Sequence, residues 1–148
     1  MRFVIQRVTS AKVDIDGQTK GSIGQGLMVL IGIGKGDDEA IADKLISKMI
    51  GLRIFADSEG KTNLDLSQVG GGLLLVSQFT LYADCKKGHR PGFTDACEPK
   101  RAEELYCYIV RKCSESVKQV GCGEFGADMQ VSLTNDGPFT IILDSERL

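Results

Sequence analysis

The chain has 148 residues, of which 42% are hydrophobic and 26% charged, and its formal net charge at pH 7 is −2. This length fits a single domain, residues 1–148, which can bury its own core without disulfides. No apolar run is long enough to span a membrane. The slightly acidic balance argues against a broad nucleic-acid interface, although a small one remains compatible with it.

The first third of the chain predicts strands. Apolar and polar residues alternate over Met1–Val8, and Lys12–Ile15 continues the pattern up to Asp16-Gly17, a pair typical of a hairpin turn. Leu27–Ile33 is a short apolar run between glycines, which favours a buried strand. Because the N-terminus enters a strand directly, we expect no signal peptide.

A first helix is predicted to begin at Asp37 or Asp38, since aspartate is a common helix N-cap. An apolar stripe recurs every four residues from Ile41 to Met49, and Gly51 ends it. Leu52–Phe55 then looks like a strand.

A second helix is predicted to begin at Pro99, because proline suits the first position of a helix. Apolar residues keep helical spacing from Ala102 to Val117, and Gly121 is the expected stop, with Lys118 in the last turn. Together these elements predict an α+β fold with a mostly antiparallel sheet and two main helices.

A strongly apolar run, Leu73–Val76, follows three glycines and ends abruptly in Ser77, Gln78, Phe79 and Thr80. The run suits a strand buried on both faces. Its polar end indicates that the strand emerges at an edge or a cleft.

Two apolar segments near the C-terminus flank the sequence Asn135-Asp136-Gly137-Pro138. Residues alternate from Ala127 to Thr134, which includes Met129, and an apolar run follows over Phe139–Leu143. The pattern predicts two strands joined by a turn. Pro138 removes a hydrogen-bond donor where a ladder should resume, and a Gly-Pro pair is open to both the trans and the cis peptide bond.

The five cysteines are an odd number without a Cys-x-x-Cys pair, and His89 is the only histidine. No zinc-binding set can be assembled from them, so we expect no metal and no cofactor. Reduced thiols are typical of a cytoplasmic protein. His89 lies in a loop rich in lysine, glycine and arginine, which favours a surface position over that of a catalytic base.

The pairing of Ser77–Thr80 with Asn135–Thr140, about 55 residues further along, resembles the D-aminoacyl-tRNA deacylases. Met1–Val8, Gly32–Asp37 and Lys87–Phe93 are similar to that family as well, so the resemblance spans nearly the whole chain. The commoner family residue at the position of Phe139 is valine, a difference that bears on pocket volume.

The resemblance implies a barrel-like sandwich fold and an esterase that releases free D-amino acid and tRNA from D-aminoacyl-tRNA. It implies a homodimer in which Gly137 and a cis Pro138 of one subunit enter the partner's site and exclude L-amino acids. Glycine, which has no side chain to exclude, should be removed too, including glycine attached to the alanine tRNA. Catalysis would use the 2′-OH of the terminal adenosine.

The resemblance also implies roles for single residues. The backbone amides of Phe79 and Thr80 would stabilise the oxyanion, and the Thr80 hydroxyl would not be essential. Supporting roles in binding fall to Arg7, which would brace the Gly-Pro segment, and to Ser77, Gln78 and Met129.

Two alternatives remain open at this stage. One is a related deacylase with a trans Gly-Pro bond that acts on L-aminoacyl-tRNA, and the other is a non-catalytic protein that binds RNA ends. The candidate phosphate contacts are the basic residues Lys86, Lys87, His89, Arg90, Lys100 and Arg101. For each of them, a solvated surface residue is the alternative.

Overall fold

Eight strands and two helices make up the computed structural model, which describes residues 1–148. In chain order they are β1 (Arg2–Ile15), β2 (Gln18–Ile23), β3 (Gly26–Gly32), α1 (Glu39–Ile50), β4 (Phe55–Ala56), β5 (Thr62–Leu64), β6 (Gly72–Ser77), α2 (Pro99–Ser116), β7 (Val120–Cys122) and β8 (Gln130–Asp144). Short 3₁₀ turns cover Phe79–Tyr82 and Ser145–Arg147.

Six strands form one mixed sheet in the order β2-β1-β3-β6-β7, and β8 pairs with the free side of β1. The pairs of β1 with β2, β3 and β8 are antiparallel, whereas β3–β6 and β6–β7 are parallel. The two ends of this order approach each other, since a Cβ on Gly21 of β2 would lie 2.8 Å from the Cys122 nitrogen of β7. The sheet is therefore nearly closed, and the predicted α+β, barrel-like architecture is confirmed.

The main core lies between this sheet and the two helices. The α1 stripe buries Ala42, Leu45, Ile46 and Met49, and the Asp38 carboxylate caps the helix by accepting the Ile41 N–H at 2.8 Å. A smaller cluster of seven residues that includes Val8, Val13 and Leu74 fills the inside of the curved sheet. No helix combines the length and the hydrophobicity needed to cross a membrane.

Two boundaries differ from the prediction. Helix α2 ends at Ser116, because Val117 has an extended backbone and residues 120–122 pair with β6 as a strand. The apolar residues that predicted α2 therefore extend beyond the end of the helix. In the segment 52–55 only Phe55 is in a strand, which continues to Ala56.

The predicted turn at 135–138 is wrong, and a bulge takes its place. Both flanking segments belong to the single strand β8 and pair with the same strand β1. Asn135 lies opposite Val8 and Thr140 opposite Gln6, so the four residues 136–139 face the one residue Arg7. The chain does not reverse here; the extra residues loop out of the edge of the sheet, as in an enlarged β-bulge.

Candidate active site

The polar end of β6 opens into a cleft, as its sequence predicts. After Ser77 the Gln78 N–H donates to the Ile31 carbonyl at 2.8 Å, and the chain then turns into the 3₁₀ turn that starts at Phe79. The first N–H groups of such a turn have no partner within it. The amides of Phe79 and Thr80 are therefore placed where a substrate oxygen could accept from them.

A pocket of about 560 Å³ lies beside this turn, and most of its lining is apolar. The exposed ring of Phe79 packs edge-on against Phe93, with centroids 4.9 Å apart. The lining residues are Ile31, Ile33, Val76, Ser77, Gln78, Phe79, Phe93, Ala96, Cys97, Pro99, Ala102, Phe125, Gly126, Ala127, Met129 and Val131. Aromatic walls with a few polar groups suit a planar, partly apolar ligand such as a nucleobase.

Tyr106 of α2 anchors the part of the pocket wall that contains Phe125. Its buried hydroxyl lies 2.9 Å from the Leu75 carbonyl of β6 and 3.2 Å from the Gly123 carbonyl, just before the wall residue Phe125. Burial raises the pKa of Tyr106, so the hydroxyl stays neutral and remains a donor. The wall is thus held in place before any ligand arrives.

The pocket contains almost no acid–base chemistry of its own. Cys97 is the only titratable side chain in its lining, and burial raises the pKa of that thiol above its ordinary value. The Thr80 hydroxyl oxygen accepts a hydrogen bond from the Gln78 amide at 2.6 Å and has no carboxylate or imidazole partner. His89 lies in an exposed loop and does not line the pocket.

The bulge 136–139 is shaped by Asn135. Its side-chain oxygen accepts the Phe139 N–H at 2.7 Å, and its side-chain nitrogen donates to the carbonyls of Phe139 at 3.0 Å and Arg7 at 3.2 Å. Gly137 and Pro138 are exposed at the tip, and the peptide bond between them is cis. A Cβ on Gly137 would collide with the Phe139 nitrogen, so only glycine fits this path.

Arg7 supports the bulge from the facing strand. Its Nε donates to the Asp136 carbonyl at 2.9 Å and lies 3.2 Å from the Asp136 carboxylate, while Nη1 donates to the Ile54 carbonyl. The guanidinium also lies over the Phe139 ring, 4.5 Å from its centroid, which is a cation–π geometry. One side chain therefore joins the bulge, β1 and the segment after α1.

The structure thus divides the predicted site residues into two groups. Ser77, Gln78, Phe79 and Met129 meet at the pocket, with Thr80 beside them. The second group lies at the bulge: Gly137 and Pro138 are part of it, and Arg7 faces it from β1. None of these three residues lines the pocket of the same chain.

Some contributors were missed at the level of sequence. The sequence places Asn135 in a turn and in the family motif, but it does not predict the contacts by which Asn135 shapes the bulge. It also does not predict that Phe93 and Phe125 line the pocket. Of the basic residues that are candidate phosphate contacts, Arg101 is already paired, since its guanidinium lies 2.9 Å from the Glu39 carboxylate.

The family model and the curated relatives indicate one family. The family model described as D-Tyr-tRNA(Tyr) deacylase matches residues 4–144. A D-aminoacyl-tRNA deacylase of Pasteurella multocida is 55% identical over 97% of this chain and 99% of its own length. Another D-aminoacyl-tRNA deacylase, from Thermosipho melanesiensis, is 50% identical over 100% of this chain and 99% of its own length.

Two solved structures share the fold. A c-Myc DNA Unwinding Element Binding Protein superposes with a TM-score of 0.92 at 36% identity, over 97% of this chain and 98% of that one. A probable eukaryotic D-amino acid tRNA deacylase superposes with a TM-score of 0.77 at 17% identity, over 96% of this chain and 97% of that one. On the family model and these relatives, the chain belongs to the D-Tyr-tRNA(Tyr) deacylase family.

Proposed function

We propose that this chain, a D-aminoacyl-tRNA deacylase by family, proofreads the chirality of aminoacyl-tRNA by hydrolysing the ester of D-amino acids. The observation that carries the proposal is a pocket with backbone donors at its rim and no protein base. Such a site suits an activated ester whose own hydroxyl can assist, and it does not suit a demanding substrate such as an amide. Because the substrate is tRNA, the cytoplasm is the compartment in which it would act.

In the proposed chemistry the terminal adenosine occupies the aromatic pocket and the ester carbonyl faces Phe79 and Thr80. Their backbone amides stabilise the oxyanion that forms when water attacks, and one such donor is worth roughly 2.7–4 kcal/mol. The 2′-OH of the adenosine, next to the ester, helps to activate the water. The raised pKa of Cys97 supports this division of labour, since a protonated thiol is a poor base and a poor nucleophile.

Selection is assigned to Gly137 and Pro138 of a second subunit. The bulge is exposed and does not line its own chain's pocket, which leaves its tip free to enter a partner's site. There, its carbonyls would collide with the side chain of an L-amino acid and leave room for a D-amino acid. Glycine has no side chain to reject and is accepted as well.

A homodimer is proposed on the same grounds. Strand β8 pairs only with β1, so its other edge is open on both sides of the bulge, over residues 130–135 and 140–144. Val131 and Ile142 on this strand are 36% and 66% exposed. Long open edges with apolar side chains invite pairing with another chain. Light scattering should give about twice the 16.0 kDa of one chain; fully active enzyme at the monomer mass would refute action in trans.

The test of the function uses one tRNA with three amino acids. Alanine tRNA is charged with glycine, D-alanine or L-alanine, and the release of free amino acid is followed. We expect glycine and D-alanine to be released while L-alanine is retained. Release of L-alanine would favour the related L-accepting deacylase.

A second candidate is a non-catalytic protein that binds nucleic-acid ends. It is favoured by the name of the structural relative at 36% identity, which describes a DNA-binding protein. Binding of charged tRNA without release of amino acid from any of the three substrates would support it over the enzyme.

A further inference from the structure

A short loop projects from the rim of the pocket. Asp84 and Gly92 exchange two backbone hydrogen bonds, of 2.7 and 2.9 Å, which close the loop formed by residues 85–91. On one side the loop begins three residues after the end of the 3₁₀ turn Phe79–Tyr82. On the other it leads into Phe93, whose ring packs on Phe79. Both ends of the loop therefore lead to the Phe79–Phe93 pair in the pocket lining.

The loop carries basic side chains that form no ion pair within the protein. Lys86, Lys87 and Arg90 are exposed, and none of them makes an ion pair. By contrast, the basic residue Arg101 near the pocket is held by Glu39 and Glu104.

The neighbouring acidic groups do not cancel this charge. The Asp84 carboxylate accepts the Lys86 backbone N–H at 2.9 Å, and the exposed Asp95 follows Phe93. Within residues 84–95, the three cations Lys86, Lys87 and Arg90 therefore outnumber the two carboxylates. The loop is positive in a chain whose net charge is −2.

The proposed substrate brings negative charge to this place. When the terminal adenosine lies in the pocket, the nucleotide chain leaves it through the 5′-phosphate of that adenosine and passes over the rim. We propose that loop 85–91, through Lys86, Lys87 and Arg90, binds the phosphates of the last nucleotides of the tRNA. The inference rests on the proposed function, which puts the adenosine in the pocket.

The test compares two substrates that share the ester and differ in phosphates: D-tyrosyl-tRNA and D-tyrosyl-adenosine. The variant carries Lys86→Gln, Lys87→Gln and Arg90→Gln. A matched variant carries Lys44→Gln, Lys48→Gln and Lys118→Gln, three exposed and unpaired lysines away from the pocket. For the loop variant we expect the ratio of kcat/KM for tRNA over that for the adenosine ester to fall about tenfold at low salt. The matched variant should keep the ratio.

Salt dependence gives a second measure. Each lost phosphate contact on a single strand should reduce the slope of log kcat/KM against log salt concentration by about 0.7. An unchanged ratio and slope in the loop variant would overturn the proposal. An equal loss on both substrates would do so too, because it would mean that the loop shapes the pocket.

Direct binding separates this inference from the proposed function. A fluorescent, uncharged RNA oligonucleotide that ends in CCA is titrated against the wild type and both variants. Weaker binding by the loop variant alone supports the inference even if no ester is hydrolysed. Equal binding by all three proteins refutes it, while release of D-tyrosine by the wild type would still support the deacylase function.

Discussion

The pocket and the bulge are built by opposite means. The pocket is apolar, and its frame is fixed by backbone hydrogen bonds and by the buried Tyr106 hydroxyl. The bulge is exposed, and it keeps its shape through polar contacts of Asn135 and Arg7. Under the proposed function, the pocket would supply the reaction with position and backbone dipoles, whereas the bulge would supply discrimination. Changes in the two regions should therefore separate rate from selectivity.

The largest effect is expected from the substrate and not from the protein. A D-aminoacyl-tRNA that ends in 2′-deoxyadenosine lacks the hydroxyl that, in the proposed mechanism, takes the place of a protein base. Because positioned acid–base groups contribute typically 10²–10⁴-fold, we expect a single-turnover rate lower by about that factor. A deoxy substrate cleaved at the normal rate would mean that a protein group activates the water.

Arg7→Ala should lower the preference for D-substrates over L-substrates. The change removes the hydrogen bonds to Asp136 and Ile54 and the contact with the Phe139 ring. A loosened bulge rejects L-substrates less well, and we expect the D-to-L ratio of kcat/KM to fall about tenfold, equivalent to about 1.4 kcal/mol.

Arg7→Lys is the informative companion to that variant. It keeps the charge but loses the planar fork of donors, so it should behave more like alanine than like arginine. Full selectivity in both variants, with melting temperatures near that of the wild type, would place discrimination elsewhere.

Phe139→Val tests the contact between the Phe139 ring and the Arg7 guanidinium. The valine removes the ring below the guanidinium of Arg7, and a cation–π contact of this kind is worth about 0.5–1 kcal/mol. We expect a fall in the D-to-L ratio of about two- to fivefold. Phe139→Tyr keeps a ring and serves as the control; an equal loss in both variants would rule out the contact as the cause.

Thr80→Val should have the smallest effect on turnover. The hydroxyl has no base to activate it, and the backbone amide, which is the proposed donor, is retained. Single-turnover rates should change by less than about tenfold, well below the loss seen when a true nucleophile is removed. A loss of several orders of magnitude in a folded variant would identify Thr80 as a nucleophile.

Local chemistry made much of the fold predictable. Asp38 and Gly51 mark the limits of α1 because caps are local signals. The polar residues after Val76 correctly placed a cleft at the end of β6.

The bulge was not predictable in the same way. It depends on which partner the segments around Asn135 pair with, and β1 is more than a hundred residues away in sequence. A local pattern could therefore suggest only a turn. The fastening by Tyr106 was missed for the same reason, since nothing near it in sequence identifies its carbonyl partners.

The most direct test of the account compares D-tyrosyl-tRNA and L-tyrosyl-tRNA, prepared on the same tRNA, with the wild-type protein. Free tyrosine is measured over time at equal substrate concentrations. We expect release from the D-substrate to be at least about a hundredfold faster, equivalent to about 2.7 kcal/mol of discrimination. Release of L-tyrosine at a comparable rate, or of neither isomer, would contradict it.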